Sequence, residues 1–231
     1  MSEVTEPNVG SLRKNIRQVT GFKPKGGERL DPILESFIRN GESRLFVPWA
    51  APADGRVTIG PEESTVQCTV AAMQRIFENC GSLVFRVMFA DKYARRNGFD
   101  TVKANEYYDK IRGLWEDNLP SGAKVDFTSA SDMLAGEPNP ERGFLILESL
   151  DTKQRAKIIE AAKKYSPGDD PAEAAAEYCD LRNEEAQRVA REGLLWVSLN
   201  WPERDAMTGS APRVYVPESV RTPWLKELIQ V

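Results

Sequence analysis

The chain has 231 residues, of which 41% are hydrophobic and 29% charged, enough for one large domain with a buried core. Its net charge of −4 excludes a generally basic surface, so any nucleic-acid site must be a local patch. The chain contains no histidine, which excludes Ser-His-Asp and Cys-His catalysis, histidine-ligated zinc and a histidine general base.

The N-terminal 28 residues mix glycine, proline and charged side chains, and they are predicted to form a flexible arm. A single domain is expected over 29–231. No apolar segment is long enough to cross a membrane, and the N-terminus lacks the apolar core of a signal peptide. We therefore expect a cytoplasmic protein without a membrane partner. The three cysteines are widely spaced and form no metal knuckle, so no metal is expected.

The first half of the domain alternates predicted helices and strands. A short amphipathic helix is predicted over Asp31–Asn40, with a proline at its first helical position, and a buried strand over Leu45–Val47. The next helix begins at Pro61, and its apolar residues recur at helical spacing. An apolar run over Leu83–Ala90, interrupted only by Arg86, predicts a strand buried on both faces.

Further elements continue this alternation. A helix over Thr101–Leu119 precedes a strand over Ala123–Ser131, and longer helices are predicted over Asp151–Tyr165 and Pro171–Leu199. A last strand, Arg213–Val216, precedes a tail helix. The order predicts an α/β fold with a doubly wound, Rossmann-like parallel sheet flanked by helices. Ligands of such sheets bind beyond the carboxyl ends of the strands.

Two nucleotide-binding motifs are absent. Gly55 and Gly60 have the spacing of a P-loop, but Pro61 and Glu62 stand where lysine and serine or threonine are needed. Acidic side chains at a helix start repel phosphate, so we exclude a P-loop. No GxGxxG motif follows a predicted strand, so no dinucleotide is expected and no cofactor is predicted.

Polar residues at the predicted strand ends are candidates for substrate binding. Asp91 is open to two interpretations: a helix N-cap, or an anion that recognises a substrate hydroxyl, ammonium or guanidinium group. Trp49, Ser129 and Ser131 follow other strands at the same edge. The substrate-binding candidates are therefore Trp49, Asp91, Ser129 and Ser131.

The predicted helix over Asp151–Tyr165 carries a basic face. Its apolar side, with Ile158, Ile159 and Ala162, is expected to face the domain. The basic face is either an ordinary solvated surface or a patch that follows the phosphates of tRNA without reading sequence. The candidate tRNA contacts are Lys153, Arg155, Lys157, Lys163 and Lys164.

A second candidate cluster lies near the end of the last long predicted helix. Trp196 and Asn200 are four residues apart and would share one face of that helix, with Glu203 in the following loop. Core packing explains the tryptophan, but a polar Asn200 at a buried helix end needs a partner.

Two parts of the sequence resemble known enzymes. The segments "MFADKYARRNG", "VKANEYYDKIRGLWED" and "VDFTSASDM" resemble the middle of the Rossmann domain of class I aminoacyl-tRNA synthetases of the tyrosyl and tryptophanyl type. The segment "EGLLWVSLNWPERDAMTGSAPRVYVPESVRTPWL" is similar in layout to the end of cyclodipeptide synthases, which share that core and use aminoacyl-tRNA. The resemblance implies a class I synthetase-like core.

The departures from these families concern the chemistry. Where synthetases carry a histidine-bearing ATP motif this chain reads "VTIG", with Thr58, and the Lys-Met-Ser-Lys-Ser-type loop is absent, so ATP-driven activation is not expected. Cyclodipeptide synthases place a nucleophilic serine where this chain has Pro48–Trp49, and a tyrosine and glutamate where it has Trp196 and Asn200. A divergent branch, such as the arginine-using fungal cyclodipeptide synthases, is one alternative. Loss of catalysis is the other.

The resemblance implies a tRNA-dependent aminoacyltransferase that forms a peptide bond, as a cyclodipeptide synthase does, with aminoacyl-tRNA as its partner. A non-catalytic small-molecule or tRNA-binding module of the same fold is an alternative, as is another ATP-independent amino-acid transferase. Glu203, Asp205, Tyr107, Tyr108 and the tRNA 2′-hydroxyl group are candidates for proton transfer, and Ser64, Ser129 and Ser131 for the nucleophile. The predicted catalytic residues are Trp196, Asn200, Glu203 and Tyr107.

Overall fold

The structure is a computed structural model, and it describes residues 6–21, 27–52, 55–134, 136–166, 168–199 and 212–215. The tail helix predicted after the last strand lies outside these residues.

The described residues form a parallel sheet with strand order β3-β2-β1-β4-β5. The chain first builds outward from β1 to β3 and then crosses to the other side of β1. This reversal is characteristic of doubly wound folds, so the predicted fold class is confirmed. The strands are β1 (Glu42–Trp49), β2 (Ser82–Phe89), β3 (Lys124–Ser129), β4 (Leu195–Ser198) and β5 (Arg213–Tyr215).

Helices cover both faces of the sheet. The helices α1, α3 and α5 pack on one face and α4, α6 and α9 on the other. The predicted helices α3, α5 and α8 are confirmed, while α4, α6 and α7 were not predicted as helices. The described helices are α1 (Val9–Thr20), α2 (Gly27–Asn40), α3 (Pro61–Phe77), α4 (Asp91–Arg96), α5 (Thr101–Asp117), α6 (Ala130–Met133), α7 (Pro140–Ser149), α8 (Thr152–Tyr165) and α9 (Pro171–Arg191).

The larger part of the core lies between the sheet and α3. The apolar face predicted for this helix is buried as expected, with Val66, Val70, Met73 and Phe77 each no more than 5% exposed. Each fully buried apolar side chain of this size contributes about 1.5–3 kcal/mol to folding, so the helical spacing of these residues is a large part of what holds α3 on the sheet.

The predicted flexible arm contains an ordered helix, so the prediction is wrong for Val9–Thr20. Asn8 caps this helix by accepting a hydrogen bond from the Ser11 backbone N–H at 2.9 Å. Leu12 and Ile16 are buried against the main core. These two residues are four positions apart and form a narrow apolar stripe, which the many polar residues of the segment obscured.

The second half of the predicted last helix is a strand instead. The helix α9 ends at Arg191, and Gly193 adopts a positive φ of 63°, a conformation that favours glycine and ends helices. The following apolar residues form β4 between β1 and β5 and are buried on both faces of the sheet. A continuous apolar run fits a central parallel strand as well as a buried helix, and only the place left in the sheet distinguishes them.

Close packing joins α7 to α9. A Cβ atom at Gly143 would lie 1.9 Å from the backbone oxygen of Ala176, so only glycine permits this approach. Beside it, Arg142 forms a two-point ion pair with the fully buried Asp180, which also accepts a hydrogen bond from the Asn139 backbone N–H at 2.7 Å. These contacts fix α7 on the outside of α9.

Candidate functional site

The carboxyl ends of the central strands lie side by side. Trp49 ends β1 opposite Phe89, which ends β2 and in turn pairs with Ser129 at the end of β3. The strand order reverses between β1 and β4, and doubly wound sheets bind their ligands at this point of the carboxyl edge. The predicted substrate-binding residues therefore meet at one edge, although their side chains do not all point to the same place.

Asp91 and Ser131 are in direct contact at this edge. The Asp91 carboxylate accepts a hydrogen bond from the Ser131 backbone N–H at 3.0 Å and another from the Ser131 hydroxyl group. Arg95, one turn further along α4, pairs with the same carboxylate at 3.2 Å. Because 23% of the Asp91 side chain remains exposed, the carboxylate both supports the start of α6 and faces solvent. The N-cap interpretation of Asp91 is wrong, because Ala90 holds that position of α4 and the Asp91 carboxylate bonds to Ser131 of α6 instead.

Ser129 has a local structural role. Its hydroxyl oxygen accepts a hydrogen bond from the Asp132 backbone N–H at 3.0 Å, and it donates to the Asp132 carboxylate at 2.6 Å. This is the N-cap of α6, typical of a serine that follows a strand. The hydroxyl group is thereby engaged within its own turn.

Trp49 points away from the edge, into the core. Its indole N–H donates a hydrogen bond to the Tyr107 oxygen at 3.1 Å, and the Tyr107 hydroxyl group donates to a carboxylate oxygen of Glu62 at 3.3 Å. All three side chains are at most 1% exposed. Burial raises the pKa of Tyr107 far above its ordinary value; the hydrogen bond from Trp49 lowers it, and the charge and hydrogen bond of Glu62 raise it further. Tyr107 therefore stays protonated at neutral pH and can donate its hydrogen bond to Glu62.

Glu62 also occupies the N-terminus of α3. It accepts a hydrogen bond from the Gly60 backbone N–H at 2.8 Å, and Arg56 lies 3.6 Å from its other oxygen. A helix N-terminus at this place in the fold offers its N–H groups to a phosphate. In this chain a buried carboxylate stands there instead, immediately after the "VTIG" segment in which the ATP motif of synthetases is missing.

Tyr108 on α5 packs against the end of β2. Its ring stacks on Phe89 with a centroid separation of 4.7 Å, and only 4% of the residue is exposed. Its pKa is raised, mainly by burial and further by the negative charge of Asp91, while the Ala51 backbone lowers it. A phenol held in its protonated form is poorly suited to accept a proton from a substrate.

Trp196 lies in β4, so the prediction that it shares a helix face with Asn200 is wrong. The residue is fully buried, with its ring 5.1 Å from that of Phe46. The guanidinium groups of Arg182 and Arg213 lie 4.9 and 5.6 Å from the ring. Trp196 is thus a core residue in contact with two guanidinium groups. The other predicted residues of this cluster, Asn200, Glu203 and Asp205, lie outside the described residues.

A buried polar cluster beside Trp196 was not found from the sequence. Glu185 on α9 accepts hydrogen bonds from the Tyr93 hydroxyl group at 2.9 Å and from Arg182 at 2.6 Å. Burial and the charge of Glu185 raise the pKa of Tyr93. The cluster ties α4, which begins at Asp91, to α9. The signal in the sequence was the charged pair Arg182 and Glu185, which lies beside the buried Ala186 and Val189 on the inner face of α9.

The basic helix α8 packs as predicted. Ile158, Ile159 and Ala162 lie against the small apolar cluster that α7 and α9 form. Lys153 and Lys157 are exposed on the opposite side, and Lys163 pairs with Glu160 at 3.3 Å. The remaining candidates are Arg155, which is half-buried, and Lys164, which is exposed.

The C-terminal end of α8 approaches the candidate site. The Ser166 hydroxyl group, which follows the helix, donates a hydrogen bond to the side chain of Asn97 at 3.5 Å. Asn97 ends α4, the helix that begins at Asp91. The C-terminal end of α8 therefore contacts the end of α4.

No group of three or more histidine, cysteine, aspartate or glutamate side chains is placed to hold a metal ion among the described residues. No described helix is long and apolar enough to cross a membrane.

Comparisons with solved structures reveal the same fold in proteins of very different sequence. The PvcA protein from Pseudomonas aeruginosa superposes with a TM-score of 0.56 at 14% identity, over 93% of this chain and 79% of that one. Tyrosyl-tRNA synthetase from Leishmania major, in complex with tyrosinol, gives 0.57 at 13% identity over 92% and 32% of the two chains. The Archaeoglobus fulgidus enzyme, complexed with L-tyrosine, gives 0.54 at 14% identity over 89% and 64%.

The chain spans less than two thirds of either synthetase. Its sequence matches no protein-family profile and no curated protein. The likeness therefore concerns the arrangement of strands and helices, which agrees with the resemblance in the middle of the sequence. The chain has the Rossmann fold of the class I aminoacyl-tRNA synthetases.

Proposed function

We propose that the protein is a tRNA-dependent aminoacyltransferase that joins two aminoacyl groups through peptide bonds and releases a cyclic dipeptide, as cyclodipeptide synthases do. The synthetase-like fold supports a substrate that carries an amino acid. The resemblance of the C-terminal segment to cyclodipeptide synthases supports a cyclic dipeptide as the product.

One observation carries the proposal: a carboxylate of the chain itself occupies the helix N-terminus that follows β1. Glu62 is fully buried there and bonds to the Gly60 backbone N–H. A nucleotide phosphate at this place would meet the charge of Glu62 at short range and would have to displace it. An enzyme of this fold that does not activate amino acids with ATP must receive them already activated, and aminoacyl-tRNA is such a substrate.

The chemistry requires little beyond orientation. The amino group of one aminoacyl residue attacks the ester carbonyl of the other; the C–N bond forms, the C–O bond to the tRNA ribose breaks, and the ribose hydroxyl group takes up the proton. A second attack of the same kind closes the ring. Positioning an amine against an activated carbonyl can supply much of the rate enhancement. Asp91 would hold the substrate, with Ser131 supporting its carboxylate. Trp196 and Tyr107 are fully buried, so of the predicted catalytic residues the proposal keeps Asn200 and Glu203.

The basic helix supports binding of the nucleic-acid part of the substrate. In the proposal, Lys153, Lys157 and Lys164 contact the acceptor stem through its phosphates, and Arg155 and Lys163 add to the local positive field. A compact basic face on an otherwise acidic protein creates a local positive potential, which would attract the phosphates near the aminoacyl end of the tRNA.

The decisive experiment supplies purified protein with aminoacyl-tRNA in the absence of ATP. We expect cyclic dipeptides in the reaction, detected by mass spectrometry, at the same rate with and without added ATP. Expression in a bacterial host should release the same products into the medium. Absence of cyclic dipeptides with a full set of twenty aminoacyl-tRNAs would contradict the proposal. Activity that depends on ATP would contradict the role given to Glu62.

Reversal of the charges on α8 tests the tRNA contacts. The variant Lys153→Glu, Lys157→Glu and Lys164→Glu should bind tRNA at least about ten-fold more weakly at low salt, and the slope of log affinity against log salt should fall by about one for each lost phosphate contact. Filter binding over a range of salt concentrations measures both quantities.

A matched control is available on α1, where Lys14 and Arg17 are also exposed but lie on the other face of the sheet. The variant Lys14→Glu and Arg17→Glu should bind tRNA like the wild type. If the α8 variant also binds tRNA unchanged, its lysines are an ordinary solvated surface.

A non-catalytic binding module of the same fold is the second candidate. It is favoured by one observation: both oxygens of Asp91 already accept hydrogen bonds from Ser131. A protein that binds aminoacyl-tRNA but releases no cyclic dipeptide would be of this kind.

A further inference from the structure

The strand β3 forms one edge of the sheet in the described part of the chain. It pairs with β2 in unbroken register over Lys124–Ser129, and no described strand pairs with its other side. One row of its backbone N–H and carbonyl groups therefore points away from the sheet. Such a row is a template for a further strand unless the edge is protected.

The usual protection of an edge strand is weak in β3. The strand contains no proline, and its pairing with β2 has no bulge. Its two charged residues, Lys124 and Asp126, are both exposed and have opposite signs. Because these charges cancel, the edge does not repel a second copy of itself.

The two faces of β3 differ in character. Val125 and Phe127 are partly buried and pack against the main core. Lys124 and Asp126 alternate with them and lie on the other face, where Asp126 is 3.8 Å from Arg86. A strand that extends the sheet must therefore match an apolar row on one face and a charged row on the other.

A second copy of β3 matches both rows when it runs antiparallel about a twofold axis perpendicular to the sheet. With Val125 at the axis, Lys124 lies opposite Asp126 of the partner subunit, and Asp126 lies opposite the partner's Lys124. On the apolar face, Phe127 lies opposite Ala123 of the partner subunit. Directly opposed residues have Cβ atoms about 4.5–5.5 Å apart, close enough for both ion pairs to form.

Charge disfavours the neighbouring registers. An axis at Lys124 would place two lysines opposite each other, and an axis at Asp126 would do the same with two aspartates. Like charges directly opposite each other destabilise a sheet. The charge pattern of β3 thus selects the single register centred on Val125.

We propose that the protein forms a twofold dimer in which two copies of β3 pair antiparallel and join the two sheets into one. The carboxyl edges of the two sheets then lie at opposite ends of the dimer, because the paired strands run in opposite directions. The proposal does not depend on the proposed function, since residues 123–127 contain no residue of the candidate site.

Single charge variants of β3 test the dimer. Light scattering after gel filtration should give the wild type twice the mass of one chain at micromolar concentration. Lys124→Asp and Asp126→Lys each convert both opposed pairs into like-charge pairs, so each should weaken the dimer at least about ten-fold. Both side chains are exposed, so each variant should keep the circular dichroism of the wild type.

The charges can be restored in two ways. The double variant Lys124→Asp with Asp126→Lys again opposes unlike charges and should form dimers as the wild type does. A mixture of the two single variants should form a heterodimer, because an aspartate then meets a lysine in every opposed pair. Co-elution of a tagged and an untagged variant detects the heterodimer.

Lys14 on α1 provides the matched control. It is exposed, and α1 lies beside β5 at the opposite edge of the sheet, so Lys14→Asp should leave the dimer intact.

Three results would overturn the inference. The wild type could stay monomeric, or the dimer could persist in both single variants, which would place the contact on another surface. Loss of the dimer in both variants without recovery in their mixture would show that Lys124 and Asp126 do not oppose each other.

Discussion

The Asp91→Asn variant is expected to lose about ten- to one-hundred-fold in kcat/KM for aminoacyl-tRNA while it keeps nearly all of its stability. Hydrogen bonds to a charged group contribute about 1.5–3 kcal/mol, which corresponds to this range, and the variant removes the charge. Cyclic dipeptide formation under single-substrate kinetics measures the loss.

Stability should change little for a structural reason. The asparagine oxygen can still accept the Ser131 backbone N–H, and its amide group can donate to the Ser131 hydroxyl oxygen. Only the ion pair with Arg95 is lost, and this pair is worth about 0–1 kcal/mol because more than half of the arginine side chain is exposed.

The control for this variant is Ser131→Ala, which removes the hydroxyl contact but leaves the charge of Asp91 in place. It should retain most of the activity. If Asp91→Asn instead melts several degrees lower and turns over substrate normally, the carboxylate serves only to cap α6.

The Glu62→Ala variant is expected to be the most destabilised substitution in the site. It removes a fully buried carboxylate that meets the Gly60 backbone N–H, the Tyr107 hydroxyl group and Arg56. Breaking a buried ion pair costs about 3–5 kcal/mol, and we expect about 2–3 kcal/mol here because a third of the Arg56 side chain is exposed. For a chain of this size the melting temperature should fall by roughly 5–10 °C.

Glu63 provides the matched control in the same helical turn. It is exposed and contacts only Gln67, at 3.3 Å, among the hydrogen bonds of the described residues. Glu63→Ala should change the free energy of unfolding by no more than about 0.5 kcal/mol. Calorimetric melting temperatures of both variants and the wild type measure this difference in stability. Equal melting temperatures for Glu62→Ala and the wild type would refute the structural role of this carboxylate.

Local patterns predicted most of the central fold correctly. The spacing of Val66, Val70 and Met73 identified α3, and the apolar run that ends before Asp91 identified β2. Periodicity works here because each element buries a single face, or both faces, along its whole length. The same patterns placed Asp91 and Ser131 at the carboxyl edge, where they are in contact.

Other features depended on what surrounds a segment. The run of apolar residues at Leu194–Val197 was assigned to a helix, and it is a strand because the sheet has a place for it between β1 and β5. The apolar stripe of α1 consists of only Leu12 and Ile16. It could be identified only once the structure showed that it packs against the core beside α3. The buried position of Glu62 and the difference between Tyr107 and Tyr108 could not be read from the sequence, because adjacent residues of one type met different partners.

The sequence by itself determined the class of fold, the position of Asp91 and Ser131 at the carboxyl edge of the sheet and the absence of histidine chemistry, because these follow from local periodicity and composition. Only the tertiary structure decided that Trp49 and Trp196 belong to the core and that Glu62 fills the start of α3. These facts depend on contacts between residues far apart in the chain. Such contacts decide which polar groups are satisfied inside the fold.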